Sequence, residues 1–185
     1  SVMAEQEISL DLNGYTLSTG LEKEGRHYYA INNYGKLVIN DSSEGQAGTI
    51  KARGIQNLGT GELSISGGTF VSVDANGGAA VWNEANLLIM GGTFKTEHVG
   101  TPSDQYGPGC LNNQGTAEVK GGTFKSVNRR TYAIVSTGDM TVSNAIVSGA
   151  HGGIASDAGT LVIESGSFSS TEYYGLYVSN DGTGT

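Results

Sequence analysis

The 185-residue sequence predicts an all-β fold, a right-handed parallel β-helix of about seven coils with three short strands each. Three recurring elements predict it. Gly-Gly-Thr-Phe occurs at 67–70, 91–94 and 121–124, with Ser-Gly-Ser-Phe at 165–168 and Gly-Thr-Ile at 48–50 and Ala-Ile-Val at 145–147 in the same place. An apolar–x–apolar triplet lies upstream of each copy. Before each triplet comes a small residue, an aliphatic, a variable residue and then Asn or Ser. The unit returns every 20 to 30 residues, the period of a repeat architecture.

The triplets read Leu37-Val38-Ile39, Leu63-Ser64-Ile65, Leu87-Leu88-Ile89, Ala117-Glu118-Val119, Met140-Thr141-Val142 and Leu161-Val162-Ile163. Their outer members are apolar and the middle one varies, the two-residue period of a strand with one buried face. Leu10 to Leu17 follows the same plan. The third element begins with Ala30-Ile31-Asn32-Asn33 and Gly54-Ile55-Gln56-Asn57. It continues as Ala80-Val81-Trp82-Asn83, Cys110-Leu111-Asn112-Asn113, Ala133-Ile134-Val135-Ser136 and Gly153-Ile154-Ala155-Ser156. Glycine and asparagine fill the turns, and the paired glycines suit corners that other residues resist. No long segment has a helical period, which argues against an α-solenoid. The Leu-x-x-Leu-x-Leu spacing of a leucine-rich repeat is absent, and a propeller blade needs about 40 residues.

Stacking such coils at the ordinary strand spacing of ~4.8 Å predicts three inner columns. Phe70, Phe94 and Phe124 form an aromatic stack. Ile39, Ile65, Ile89, Val119, Val142 and Ile163 form an aliphatic ladder. Asn33, Asn57, Asn83 and Asn113 form an amide ladder at an inner turn, where each side chain satisfies a neighbour. Cys110 is expected to be a small buried filler.

Composition bounds the function. Glycine, at 30 of 185 residues, is about twice its usual ~7% share, and proline is only 2. No apolar stretch approaches the ~20 residues of a membrane span, so no membrane insertion is expected. The net charge of −8 disfavours nucleic acid, anionic membranes and strongly anionic polysaccharides as partners. A single cysteine leaves no internal disulfide framework and too few soft ligands for zinc. Residues 1–185 read as one module, and both ends look cut, as expected of a fragment of a larger protein.

With its Leu-Asp-Leu-Asn-Gly-Tyr-Thr-Leu opening and Ile-Ser-Gly-Gly-Thr-Phe repeat, the chain resembles the pectate-lyase-like right-handed β-helix superfamily, and within it the β-helical modules of large bacterial surface and secreted proteins. That likeness implies a secreted or cell-surface protein whose usual partner is a polysaccharide. It does not choose among lyases, glycoside hydrolases, carbohydrate-binding modules and adhesin stalks, because one superfold hosts many roles.

The residues offer little for catalysis. Asp74, Glu84 and Asp104 fall in neighbouring coils but not at matching positions for a calcium-dependent lyase. There is no Asp-Asp pair, and Ala150-His151-Gly152-Gly153 is a faint echo of the Gly-His-Gly of polygalacturonases, so His151 reads as a turn residue. Arg129-Arg130 lies in a turn without an acidic partner in register. No cofactor is indicated. Calcium could sit in turns holding Asp41, Asp74 or Asp104, though no Asp-x-Asp-x-Asp-Gly spacing appears.

Binding asks less of a surface. Sugars stack on aromatic rings while amides and charges bond their hydroxyls. Trp82 is the only tryptophan and occupies an outward position between Val81 and Asn83. Its column holds Asn32, Gln56, Asn112 and Val135. Tyr29, Tyr132 and Tyr174 share another column, which either lines the same groove or closes an inner corner. Tyr106 belongs to the longest insertion, 95–109. The expected site is therefore a shallow polysaccharide-binding face. Trp82 is its platform, Gln56 and Asn112 bond hydroxyls, Tyr106 and Tyr132 flank, and Arg130 bonds ring or hydroxyl oxygens or a uronic acid. The low basic charge favours a neutral backbone such as xylan or glucan. The alternatives are a structural stalk or adhesin repeat, and a polysaccharide lyase or glycoside hydrolase.

Overall fold

The computed structural model describes residues 1–20, 28–74, 78–98 and 109–179. The first turn of the chain carries β1 (Glu7–Asp11), β2 (Thr16–Ser18) and β3 (Ile31–Asn33), and the second β4 (Lys36–Asn40), β5 (Thr49–Ala52) and β6 (Ile55–Asn57). Next come β7 (Glu62–Ile65), β8 (Thr69–Ser72) and β9 (Ala79–Asn83), then β10 (Asn86–Ile89), β11 (Thr93–Thr96) and β12 (Gly109–Asn113). They are followed by β13 (Thr116–Val119), β14 (Thr123–Ser126) and β15 (Tyr132–Ser136), and by β16 (Asp139–Val142), β17 (Ala145–Gly149) and β18 (Gly152–Ser156). The last set is β19 (Leu161–Ile163), β20 (Gly166–Ser170) and β21 (Leu176–Val178).

Every third strand pairs in parallel, giving three seven-stranded sheets that begin with β1, β2 and β3. We call them sheets 1, 2 and 3. Seven strands per sheet are separated by about six turns of chain, so the fold is a parallel β-solenoid with three strands per turn. This architecture is consistent with the β-helix superfamily.

The predicted columns are present in register. Phe70 pairs with Phe94, and Phe94 with Phe124. Their rings stack with centroids 4.9 and 4.7 Å apart and planes within 13° and 11°. All three are fully buried. Parallel strands place identical residues directly over one another, so ring planes follow the strand spacing. Ile39, Ile65, Ile89, Val119 and Val142 form the aliphatic ladder at 0% exposure, and Ile163 is partly buried at its end. Cys110 is buried too, and desolvation pushes its thiol far above the ordinary range.

The amide ladder is continuous. Nδ2 of Asn33, Asn57 and Asn83 donates to Oδ1 of the next asparagine at 2.8, 2.8 and 2.7 Å. Asn113 Nδ2 donates to Ser136 Oγ at 3.1 Å. Each amide also donates to a backbone carbonyl of the following turn, such as Asn57 Nδ2 to Asn86 O at 2.8 Å. At its start Val2 bridges Asn33 in parallel. A valine side chain offers no donor, and Asn33 Oδ1 is buried without a partner.

The Gly-Gly pairs are corner residues. Gly68, Gly92 and Gly122 have φ of 89°, 102° and 105°, which disfavours any side chain. A Cβ on Gly91 would also lie 2.9 Å from Ser66 O in the preceding turn. Asp41, expected as a calcium-capable turn residue, is instead engaged by the protein itself. Its carboxylate accepts from Gly14 N (3.0 Å), Ser43 N (3.2 Å), Ser43 Oγ (2.8 Å) and Gly48 N. Asp74 faces Arg53 Nε at 3.1 Å. Asp104 lies outside the described residues. Among the described residues no group of three or more His, Cys, Asp or Glu is placed to hold a metal ion.

Candidate functional site on the outer face of sheet 3

Sheet 3 positions the candidate residues because its strands alternate inward and outward. Val81 and Asn83 are fully buried, and Trp82 between them is half-buried, facing out. Strand pairing sets Asn32, Gln56, Trp82, Asn112, Val135, Ala155 and Tyr177 in one row across the seven strands. Gln56 and Asn112 are therefore the direct neighbours of Trp82. The indole is held from within its own strand, where Trp82 Nε1 donates to Glu84 Oε1 at 2.8 Å. That bond takes the only polar atom of the side chain and leaves the ring to act through its π-face and carbon edge. Asn112 Oδ1 accepts from Gln114 Nε2 at 3.5 Å, a long contact that leaves most of the amide's capacity to the outside.

The other expected residues are not at Trp82. Tyr132 and Arg130 enter with β15, two turns beyond β9. Arg130 is exposed in the turn before that strand, where its backbone N–H donates to Asn128 Oδ1 at 2.7 Å. Tyr106 lies outside the described residues. Tyr29 lies under Arg53, whose guanidinium carbon is 4.9 Å from the ring centroid, in the first turns. Tyr29 thus shares no groove with Tyr132 and Tyr174, which meet a common neighbour, Tyr177, in the last turns.

That second grouping is larger than the sequence suggested. Tyr132 stacks on Tyr177 with centroids 5.9 Å apart, and Tyr177 on Tyr174 at 6.0 Å. Tyr132 meets His151 edge-on at 5.1 Å, and His151 meets Tyr173 at 4.4 Å. Five rings thus connect across three turns. His151 is in a turn as expected, and its Nδ1 lies 3.1 Å from Arg129 O. Burial, then the neighbouring Tyr177, Tyr174, Asp157 and Tyr173, hold the Tyr132 phenol above its ordinary pKa, so it stays a neutral donor at physiological pH. Arg129 Nε pairs with Glu172 Oε1 at 3.0 Å at the margin.

The signal in the sequence was Gly152. It is the register partner of Tyr132, and a Cβ there would come within 2.1 Å of the Tyr132 ring. An empty position lets a ring from one turn reach the next.

A further surface lies on sheet 1. Val38, Ser64 and Leu88 floor an open groove of about 380 Å³ edged by Lys36, Glu62 and Glu118. No aromatic ring lines it. Comparison of the chain with protein families, curated proteins and solved structures gives no match.

Proposed function

We propose that the protein is a non-catalytic polysaccharide-binding module, acting outside the cell or at its surface, that holds a neutral glycan such as xylan or glucan on the outer face of sheet 3. The observation that carries this reading is a partly buried, outward-facing tryptophan with its N–H already bonded, flanked in register by two primary amides. Ring carbons suit the apolar face of a sugar, and Gln56 and Asn112 supply the adjacent donors and acceptors. The charge of −8 favours a neutral chain over a uronate polymer. The pectate-lyase-like likeness, and its bacterial secreted modules, agrees with the same class of partner.

A pull-down on insoluble xylan, cellulose and pectin, with the supernatant assayed for reducing sugar and ultraviolet-absorbing product, tests the reading. Retention on a neutral glycan without product is expected. Product release would make the chain a lyase or hydrolase, and no retention on any glycan would favour a structural stalk.

A further inference from the structure

We propose that Tyr132, His151, Tyr173, Tyr174 and Tyr177 form a second saccharide-contact station, so that one glycan lies along the solenoid axis from Trp82 to Tyr177. This deepens, and rests on, the polysaccharide-binding reading of sheet 3.

Tyr177 stands in the same outward row as Trp82, four strands further on. At ~4.8 Å per strand the two rings are about 19 Å apart along the axis. Between them the row is Asn112, Val135 and Ala155, of which Asn112 and Val135 are partly exposed and Ala155 is covered. A ligand following this row crosses the strands at right angles and meets a ring at each end. A ligand running along one strand would meet only one.

The exposure of the tyrosines is not simply that of a terminal strand. Leu176 and Val178 continue the inward columns of Ile154 and Ser156, and are open because they lie on the last strand described. Tyr177 alternates with them in the outward register, where Val135 is partly exposed and Ala155 is covered. Tyr173 is 62% exposed and Tyr174 59%, an unusual outlay of large rings on a solvent face. Phenol hydroxyls at the ring tips and the Asp157 and Glu172 carboxylates nearby suit sugar hydroxyls.

Isothermal titration with xylo- and cello-oligosaccharides of increasing length reads the station directly. In the unaltered protein affinity should rise steeply once the ligand reaches about 19 Å, because the second contact becomes intramolecular. Tyr177→Ala should abolish that rise, weakening long oligosaccharides about 10-fold or more while short ones keep their affinity. If Tyr177→Ala lowers the melting temperature, Tyr174→Ala, at a more exposed ring, is read in its place. An unchanged length dependence in both variants, with binding still lost in Trp82→Ala, would overturn the second station and leave the sheet 3 reading intact. Failure of the unaltered protein to bind any oligosaccharide or polysaccharide would overturn both.

Discussion

The inside and the outside of sheet 3 run over the same seven strands and follow opposite rules. Inside, position after position repeats one residue, as in Asn33, Asn57, Asn83 and Asn113. Outside, one residue away, the row changes at every turn, from Asn32 and Gln56 to Trp82, Asn112, Val135, Ala155 and Tyr177. A buried side chain in a parallel stack has its copies above and below as neighbours, so like residues satisfy one another. An outward side chain has solvent or a ligand as its main neighbour, and stacking places no demand on it. Variation outside a uniform core is where function is to be sought in a solenoid.

The contrast can be broken most forcefully from within. Phe94→Ala removes the central ring of the stack and leaves Phe70 and Phe124 facing a void. A loss of about 3–5 kcal/mol is expected in chemical denaturation. Asn83→Ala comes next. It takes the donor from Asn113 Oδ1 and the acceptor from Asn57 Nδ2. Asn57 Nδ2 keeps its carbonyl partners, but Asn113 Oδ1 and the buried Ala85 N–H, which donates to Asn83 Oδ1, are both orphaned, so the loss is about 2–4 kcal/mol. An equal loss for Asn112→Ala, one residue away on the outside, would erase the distinction between the two faces.

A gentler probe is acid. Burial alone would raise the Asp41 carboxyl, but its hydrogen bonds from Ser43, Gly14 and Gly48 outweigh that and hold it below the ordinary carboxylate range. The unfolded chain therefore takes up the proton first, and the stabilisation present at neutral pH fades as pH falls through the carboxylate range. Melting temperature measured against pH should decline there, and Asp41→Asn should flatten the decline. A smaller effect on stability than that of the core changes belongs to Trp82→Ala, about 1–2 kcal/mol, because its ring faces outward and is only partly buried.

What the sequence revealed divides along the same line. Phe70, Phe94 and Phe124 could be placed in one column by counting, since stacking forces a period on the inner residues. The partners of Trp82 in its row followed from the same count. The bond from Trp82 to Glu84 did not, because it depends on a side-chain rotamer. The ring cluster was missed for a different reason. Tyr132 and Tyr177 touch only because Gly152 leaves room between turns, and a missing side chain gives no periodic signal. Val2 was likewise unreadable as the base of the amide ladder, since it shares neither the type nor the spacing of the asparagines.

The most direct test of sheet 3 as a glycan-binding face is affinity electrophoresis in native gels containing soluble xylan or mixed-linkage glucan. The unaltered protein and Tyr15→Ala, which removes a ring 75% exposed in the first turn, should both be retarded. Trp82→Ala should migrate as it does without polysaccharide. Equal retardation of all three on every glycan that slows the unaltered protein would contradict the account.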